Sequence, residues 1–239
     1  MTTASVLMAD AFEIQPYTSH CRVIHDEGAH AVIGVSVGNG YFSARRLHGL
    51  ARWGLEHFDR VDFVYTDLYV AEMYEAFGYQ PGEARREAVK SVRGVRAKVR
   101  NAVAEADPGV ARLRWQPMSH FRANAAYQEI HRQLHRQLGE DDDFRAVCDD
   151  LVGCFLATRG EAADARQRAV CLEYVCAELP LFLDTPAILR VPSSLVCYHQ
   201  RLPMAELLYG RGAGLRASRN QGHAIVTPVA ARGCDAPAA

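Results

Sequence analysis

The sequence predicts a single α/β domain built on a doubly wound, mostly parallel sheet flanked by helices, and three observations carry that reading. Residues 31–37 (Ala-Val-Ile-Gly-Val-Ser-Val) are apolar and rich in β-branched side chains, and Gly38-Asn39-Gly40 follows, so a buried strand runs into a sharp turn. Residues 44–58 then place Leu47, Leu50, Trp53, Leu55 and Phe58 at helical spacing with Arg45, Arg46 and Arg52 between them, and strand character returns at 61–67. Strand, helix and strand within about 35 residues make a βαβ unit, whose crossover forces the two strands parallel. A chain of 239 residues with 49% hydrophobic content, no internal repeat and no break in composition suits one core.

From the start of the chain, residues 1–28 mix polar and apolar types without a sustained period and read as a loosely attached entry segment, as 232–239 read as a frayed tail. The strand at 31–37 brings Ser36 to its carboxyl end. In an open α/β sheet that end faces the ligand crevice, and a helix starting near Tyr41 would aim backbone N–H groups at the same place. Residues 68–79 read as a short helix ended by Gly78 and Pro81-Gly82, and 83–105 as a longer one. On the long helix Val89, Val92, Val95, Val99 and Val103 form one stripe. Arg86, Lys90, Arg93, Arg96 and Arg100 form a second beside it, with Arg85 and Lys98 adding charge. Only Glu87 falls among these cations, so i,i+4 pairing leaves the face positive and suited to a phosphate backbone.

A strand at 111–115 and a helix at 121–138 come next, and Asp141, Asp142 and Asp143 cap a helix over 144–158. A helix over 164–178, ended by Leu179-Pro180, sets Tyr174 and Glu178 four residues apart on one face. The run 188–199 contains Leu195-Val196-Cys197 and delivers Tyr198 and His199 to its end, much as the opening strand delivers Ser36. A short helix at 202–209, a Gly- and Arg-rich loop at 210–220 and a last strand at 223–229 complete the fold.

Lys plus Arg number 27 against 28 Asp plus Glu, a formal net charge of −1 that excludes a globally basic nucleic-acid binder but leaves room for a local patch. The seven cysteines follow no C-x-x-C spacing and lie mostly in apolar runs, as small buried side chains do in a reducing compartment. His131 and His135 share a helix face, but no glutamate stands between them as in H-E-x-x-H, and Arg132 and Arg136 add positive charge. No metal and no cofactor are expected. No apolar stretch reaches the roughly 18 residues of a membrane span, and the N-terminus lacks the order of a signal peptide, so the expected form is a cytoplasmic monomer away from membranes.

Gly34-Val-Ser36-Val-Gly38 fits G-x-S-x-G, the nucleophile elbow of α/β-hydrolases, with Glu178 and His199 available on paper as acid and base. Position argues against it, because several strands precede that elbow in the hydrolase fold and here Ser36 ends the first strand. Two longer patterns point elsewhere. His30-Ala-Val-Ile-Gly34-Val-Ser36 has the form H-x-[LVI]-[LVI]-G-[LVI]-S, and Tyr174-Val-Cys-Ala-Glu178-Leu-Pro180 has the form Y-[LVI]-x-x-E-[LVI]-P. These resemble the two signatures of the cyclodipeptide synthases. The similarity continues through Gly38-Asn-Gly-Tyr-Phe-Ser43, Pro180-Leu-Phe182 and Val191-Pro-Ser-Ser-Leu-Val-Cys-Tyr198-His199, in order, and covers most of the chain.

The resemblance implies a Rossmann-like fold similar to the catalytic domain of class I aminoacyl-tRNA synthetases, and an enzyme that takes two aminoacyl-tRNAs in succession to form a 2,5-diketopiperazine. No HIGH-like or KMSKS-like ATP motif is found, which agrees with substrates that arrive already activated. By the same resemblance the reaction is ping-pong: Ser36 takes the first aminoacyl group as an ester, the amine of the second is positioned against it, and a dipeptidyl enzyme cyclises off the serine. Glu178, helped by Tyr174, would bind the α-ammonium, and Tyr198 would relay a proton near Ser36. Asn39 and His199 would position the aminoacyl moiety, Gly34 would leave it room, and Val32, Val64, Leu181 and Val196 would line its side-chain pocket. The pairs Gln200-Arg201 and Thr158-Arg159 would lie near the second substrate. Arg86, Lys90, Arg93, Arg96, Lys98 and Arg100 fall where the resemblance places a tRNA-contacting helix. A serine hydrolase and a noncatalytic tRNA-binding relative of the synthetases are the competing readings.

Overall fold

The computed structural model describes residues 11–109, 111–157, 164–212 and 214–229. Six strands form one sheet: β1 (Phe12–Pro16), β2 (His30–Val35), β3 (Arg60–Tyr65), β4 (Leu113–Pro117), β5 (Ser194–Tyr198) and β6 (Gln221–Pro228). Their order is β1-β6-β5-β2-β3-β4, and every pairing is parallel except β1 with β6. The expected mostly parallel α/β sheet is therefore present. From β2 the chain winds outward through β3 and β4, then returns to the other side of β2 for β5 and β6. The strand order reverses between β2 and β5, and a crevice opens beyond their carboxyl ends.

Eight helices flank the sheet among the described residues: α1 (Ser19–Glu27), α2 (Ala44–His57), α3 (Val70–Ala76), α4 (Pro81–Ala106), α5 (Ala125–Glu140), α6 (Asp142–Ala157), α7 (Ala165–Leu189) and α8 (Pro203–Gly210). Side chains alternate across each strand and divide the core accordingly. Ile33, Val35, Phe63 and Cys197 pack with Leu47, Leu50 and Trp53 of α2 and with Val95 and Val99 of α4. Val32, Val64 and Val196 face the other way, onto Phe121, Tyr127, Leu181 and Ile188. No described helix is long and apolar enough to cross a membrane. Five of the six described cysteines are buried and Cys154 is exposed; Cys234 lies outside the described residues.

Four local expectations need correction. Residues 12–27 are no loose entry segment: β1 pairs with the outer edge of β6, and α1 is capped by the Thr18 hydroxyl, which accepts from Cys21 N–H at 3.1 Å. The helix expected over 121–138 divides into a 3-10 turn, Met118–Ala123, and α5, because the Asn124 side chain caps a new start by accepting from Tyr127 N–H. Helix α7 does not stop at Pro180. It runs on to Leu189, with its break at Asp184 (φ −158°, ψ 63°). There the Asp184 carboxylate accepts from Ala187 N–H at 3.1 Å and Pro186 follows two residues on, so Asp184-Thr185-Pro186 acts as a cap and helix start inside the run. On α4 the buried face is Ala84, Ala88, Val95, Val99 and Ala102, whereas Val89 is 55% exposed among the cations.

One polar cluster lies inside the sheet. His30, at the start of β2, meets Ser194 of β5 through Nδ1 at 2.8 Å and Asp62 of β3 through Nε2 at 2.9 Å, and all three are buried. Arg60 donates from Nε to the same Asp62 oxygen at 2.9 Å. Burial pushes His30 below its ordinary value and outweighs the pull of Asp62. Burial also pushes Asp62 upward, but the hydrogen bond from His30 and the charge and hydrogen bond of Arg60 together hold its carboxyl below the ordinary value. A neutral His30 with Nε2–H donating to the carboxylate leaves Nδ1 to accept from the Ser194 hydroxyl, and every buried group is then satisfied.

Replacing Asp62 by Ala leaves an imidazole N–H without an acceptor and Arg60 without its partner. The expected loss is about 3 kcal/mol of unfolding free energy, read from urea denaturation. A loss within the scatter of ordinary surface substitutions would show that the cluster does not hold the strands.

Candidate active site

The site is assembled from the carboxyl ends of three parallel strands and the middle of α7. Ser36 follows directly on β2, and the chain turns through Gly38, whose φ of +78° is in the left-handed region that favours glycine. The Asn39 side chain secures the turn by accepting from Tyr41 N–H at 2.9 Å, and Ser43 caps α2 by accepting from Arg46 N–H. Helix α2 therefore starts at Ala44, later than the position near Tyr41 that the sequence indicated. Next to β2, strand β5 ends in Tyr198, whose phenol oxygen lies 3.5 Å from Ser36 Oγ.

From α7, one turn apart, come Tyr174 and Glu178. Thr66, the residue after β3, joins them: its hydroxyl accepts from Tyr174 at 3.2 Å and donates to Glu178 Oε1 at 3.0 Å. Thr66 was not among the residues picked out from sequence. Its only signal there is its place at the end of the strand beside the one bearing Ser36. Burial pushes the Glu178 carboxyl above its ordinary value, opposed by the hydrogen bonds from Thr66 and Tyr174. Burial and the neighbouring Glu178 raise the Tyr174 and Tyr198 phenols as well, against hydrogen bonding with Ser36.

These groups border one cavity. Val32, Gly34, Ser36, Val64, Glu178, Leu181, Val196 and Tyr198 all line it, so the structure brings together the expected pocket residues and three of the four expected catalytic ones. Tyr174 is joined to them through Thr66. Val35, Met118, Phe182 and Leu202 complete the wall and were not expected. A Cβ at Gly34 would meet nothing within 4 Å, so the missing side chain is open cavity space. Asn39 and His199 stand beside the cavity, with Asn39 Nδ2 3.3 Å from His199 Nε2. The His199 ring stacks on Tyr41 at 4.0 Å, and burial followed by the charge of Arg46 lowers its pKa, leaving Nε2 free to accept from the amide. Of the residues expected near a second substrate, Gln200 and Arg201 lie just past His199 after the end of β5, while Thr158 and Arg159 lie outside the described residues.

The chemistry available is a serine hydroxyl facing a phenol, and a carboxylate held by the Thr66 hydroxyl, with Tyr174 donating to Thr66, in an otherwise apolar chamber. An enclosed carboxylate raised by burial suits an ammonium guest, whose charge would restore the ionised form. The Ser36 hydroxyl does not face an imidazole as a hydrolytic nucleophile would, because His199 is engaged with Asn39 and Tyr41.

Away from this cavity, α4 exposes Arg85, Arg86, Lys90, Arg93, Arg96, Lys98 and Arg100. Lys90 pairs with Glu87 at 3.3 Å and Arg96 lies over the Trp115 ring at 5.6 Å. Among the described residues Arg85, Arg86, Arg93 and Lys98 have no acidic partner. Arg85, Arg86, Lys90 and Arg93 border one shallow groove with Val89, which Lys98 does not line.

Comparison with known proteins agrees with this geometry. The family model described as "Cyclodipeptide synthase" matches residues 12–228. The chain is 62% identical over 222 residues to a cyclo(L-tyrosyl-L-tyrosyl) synthase of Mycobacterium tuberculosis, covering 92% of this chain and 77% of that protein. It is 33% identical over 210 residues to the cyclo(L-leucyl-L-phenylalanyl) synthase of Streptomyces noursei, covering 87% and 88% respectively. A solved Mycobacterium tuberculosis structure, described as demonstrating that cyclodipeptide synthetases are related to type I tRNA synthetases, superposes with a TM-score of 0.86. The two are 62% identical, over 92% of this chain and 95% of the other.

A serine paired with a phenol lacks the base that activates hydrolytic serines, so a fluorophosphonate probe is expected to leave Ser36 unlabelled under conditions that label an α/β-hydrolase completely. Stoichiometric labelling of Ser36, seen by peptide mass spectrometry, would restore the hydrolase reading.

Proposed function

The chain belongs to the cyclodipeptide synthase family, and on that premise we propose that it joins the aminoacyl groups of two aminoacyl-tRNAs, used in succession, through an ester on Ser36. The observation that carries the proposal is the single cavity in which Ser36 and Tyr198 meet at the ends of β2 and β5 opposite Glu178. Ser36 Oγ attacks the ester carbonyl of the first aminoacyl-tRNA, the tRNA hydroxyl leaves with the proton, and an aminoacyl-serine ester remains. Tyr198, within reach of Oγ, passes that proton, while Glu178, with Tyr174 and Thr66, holds the α-ammonium of the bound residue.

Atom balance fixes the direction of the second transfer. A dipeptide still attached to the enzyme forms only when the ammonium of the serine-held residue first gives a proton to the Glu178 carboxylate and the resulting amine attacks the ester of the second aminoacyl-tRNA, whose hydroxyl leaves with the amine's proton. This reverses the roles of amine and ester that the sequence reading assigned. The new terminal amine then attacks the serine ester, the six-membered ring closes, and Oγ recovers its proton. Each step exchanges an ester for an ester or an amide, so positioning and proton transfer account for the catalysis required.

The apolar lining by Val32, Val64, Met118, Leu181 and Val196 suits an aliphatic or aromatic side chain. The 62% identity to a protein named for cyclo(L-tyrosyl-L-tyrosyl) makes tyrosyl-tRNA the first substrate to supply. The unpaired cations of α4 are proposed to take the tRNA backbone, supplying affinity without reading sequence.

Incubation with a mixed pool of charged tRNAs, followed by mass spectrometry of small products, is expected to yield a diketopiperazine. Ser36→Ala should reduce it to background while tRNA binding survives; absence of product from the unaltered chain across the full set would sink the proposal. Arg93→Ala combined with Arg96→Ala should weaken tRNA binding and lower the slope of log affinity against log salt by about one to two. An unchanged slope would place the tRNA on another face.

A further inference from the structure

Helices α5 and α7 bring together three side chains that the proposed catalysis leaves unused. His131 and His135 lie one turn apart on α5, and Glu173 comes from α7, with one potential ligand atom from each residue all within 4.8 Å of one another. His135 Nε2 is 3.8 Å from Glu173 Oε2, and the two imidazole centroids are 4.6 Å apart. Four-coordinate bonds of about 2.0–2.2 Å place donor atoms about 3.4 Å from one another, so a modest rotation of these partly exposed side chains closes the set.

The arginines that argue against a metal in the sequence are paired with a carboxylate of their own helix, although Arg132 also borders the cavity beside His131. Arg132 meets Glu129 Oε2 at 2.5 Å and Arg136 meets Glu129 Oε1 at 3.7 Å, so one carboxylate, one turn back from the first and two from the second, meets both. The proposed carboxylate ligand is itself oriented, since the Tyr69 hydroxyl donates to Glu173 Oε2 at 3.5 Å, the kind of outer partner that fixes a ligating group. His131 is half-buried, its ring parallel to Tyr127 at 5.9 Å, and it borders a cavity of about 200 Å³ shared with Tyr69, Tyr127 and Arg122.

We propose that His131, His135 and Glu173 form a binding site for a divalent transition-metal ion of the zinc class, with the remaining coordination position open to the adjoining cavity. Two imidazoles and one carboxylate suit zinc, cobalt(II) or nickel(II), whereas magnesium and calcium take oxygen donors throughout. The ion would bridge α5 to α7 one residue before Tyr174 and stiffen the wall that carries Tyr174 and Glu178. Its role is a clamp between helices, separate from the ester chemistry at Ser36.

The test uses the full chain without a polyhistidine tag, stripped with a chelator and titrated with cobalt(II). One equivalent per chain is expected, with visible absorption that zinc displaces and a rise in melting temperature at saturation. His135→Gln and Glu173→Gln replace groups 38% and 42% exposed, so both variants should fold as the parent does. Each should weaken cobalt binding by at least about tenfold and remove the metal-dependent rise in melting temperature. Absence of saturable binding to the parent overturns the proposal, as does binding unchanged in both variants, which would assign the ion to other donors such as the exposed Cys154.

Discussion

The buried imidazole of His30 is the contact on which the arrangement of the site depends. It touches β3 on one side and β5 on the other, so one ring sets the relative positions of the three central strands at their amino ends. From that starting level, parallel pairing carries Gly34 opposite Val64 and Ile33 opposite Cys197, and Ser36, Thr66 and Tyr198 emerge side by side where the strands end. A slip of one residue in either neighbour would turn each side chain to the opposite face of the sheet and scatter the group. The same cluster is a serine, a histidine and an aspartate within hydrogen-bond range, the composition of a hydrolytic triad. Its burial makes it a brace, and the serine proposed to react is the other one, Ser36, beyond the far end of the strand.

The site holds a charge-ready group in a poor place for charge. Glu178 sits against valines, leucine and phenols, with hydroxyls from Tyr174 and Thr66 as its polar company. A chain of neutral hydroxyls, Tyr174 to Thr66 to Glu178, offsets only part of the desolvation of a carboxylate. In the function proposed above, a guest ammonium would supply the rest. On that proposal an amino ester would be preferred over a simple ester of the same shape.

Much of this was legible in the chain, and the illegible parts share a physical cause. The βαβ opening was readable because a fully buried strand and a one-sided helix leave strong periods over 31–58. Ser36, Glu178 and Tyr198 were readable because each lies in a long pattern or at a strand end. Thr66 was not, because a threonine after an apolar strand is ordinary until the fold brings α7 against it. Glu173 was hidden in the same way, 38 residues beyond His135 in sequence and 3.8 Å from it in space. The edge pair β1 and α1 went unrecognised because five- and nine-residue elements, half exposed, carry too short a pattern. Pro180 misled because a proline removes one helical hydrogen bond without ending a helix held by packing on both sides.

Gly34 separates what the protein needs in order to fold from what it needs in order to react. Its backbone pairs normally with Val64 in the middle of the sheet, it needs no left-handed conformation, and a methyl group there would strike nothing. On stability alone alanine would serve as well or better, since glycine in a strand surrenders more freedom on folding. What glycine supplies is a volume of empty space two residues before the serine, at the floor of the cavity. In the function proposed above, the size of the guest would be set partly by an atom the chain omits, and a change there would narrow the range of acyl groups admitted without disturbing the architecture around them.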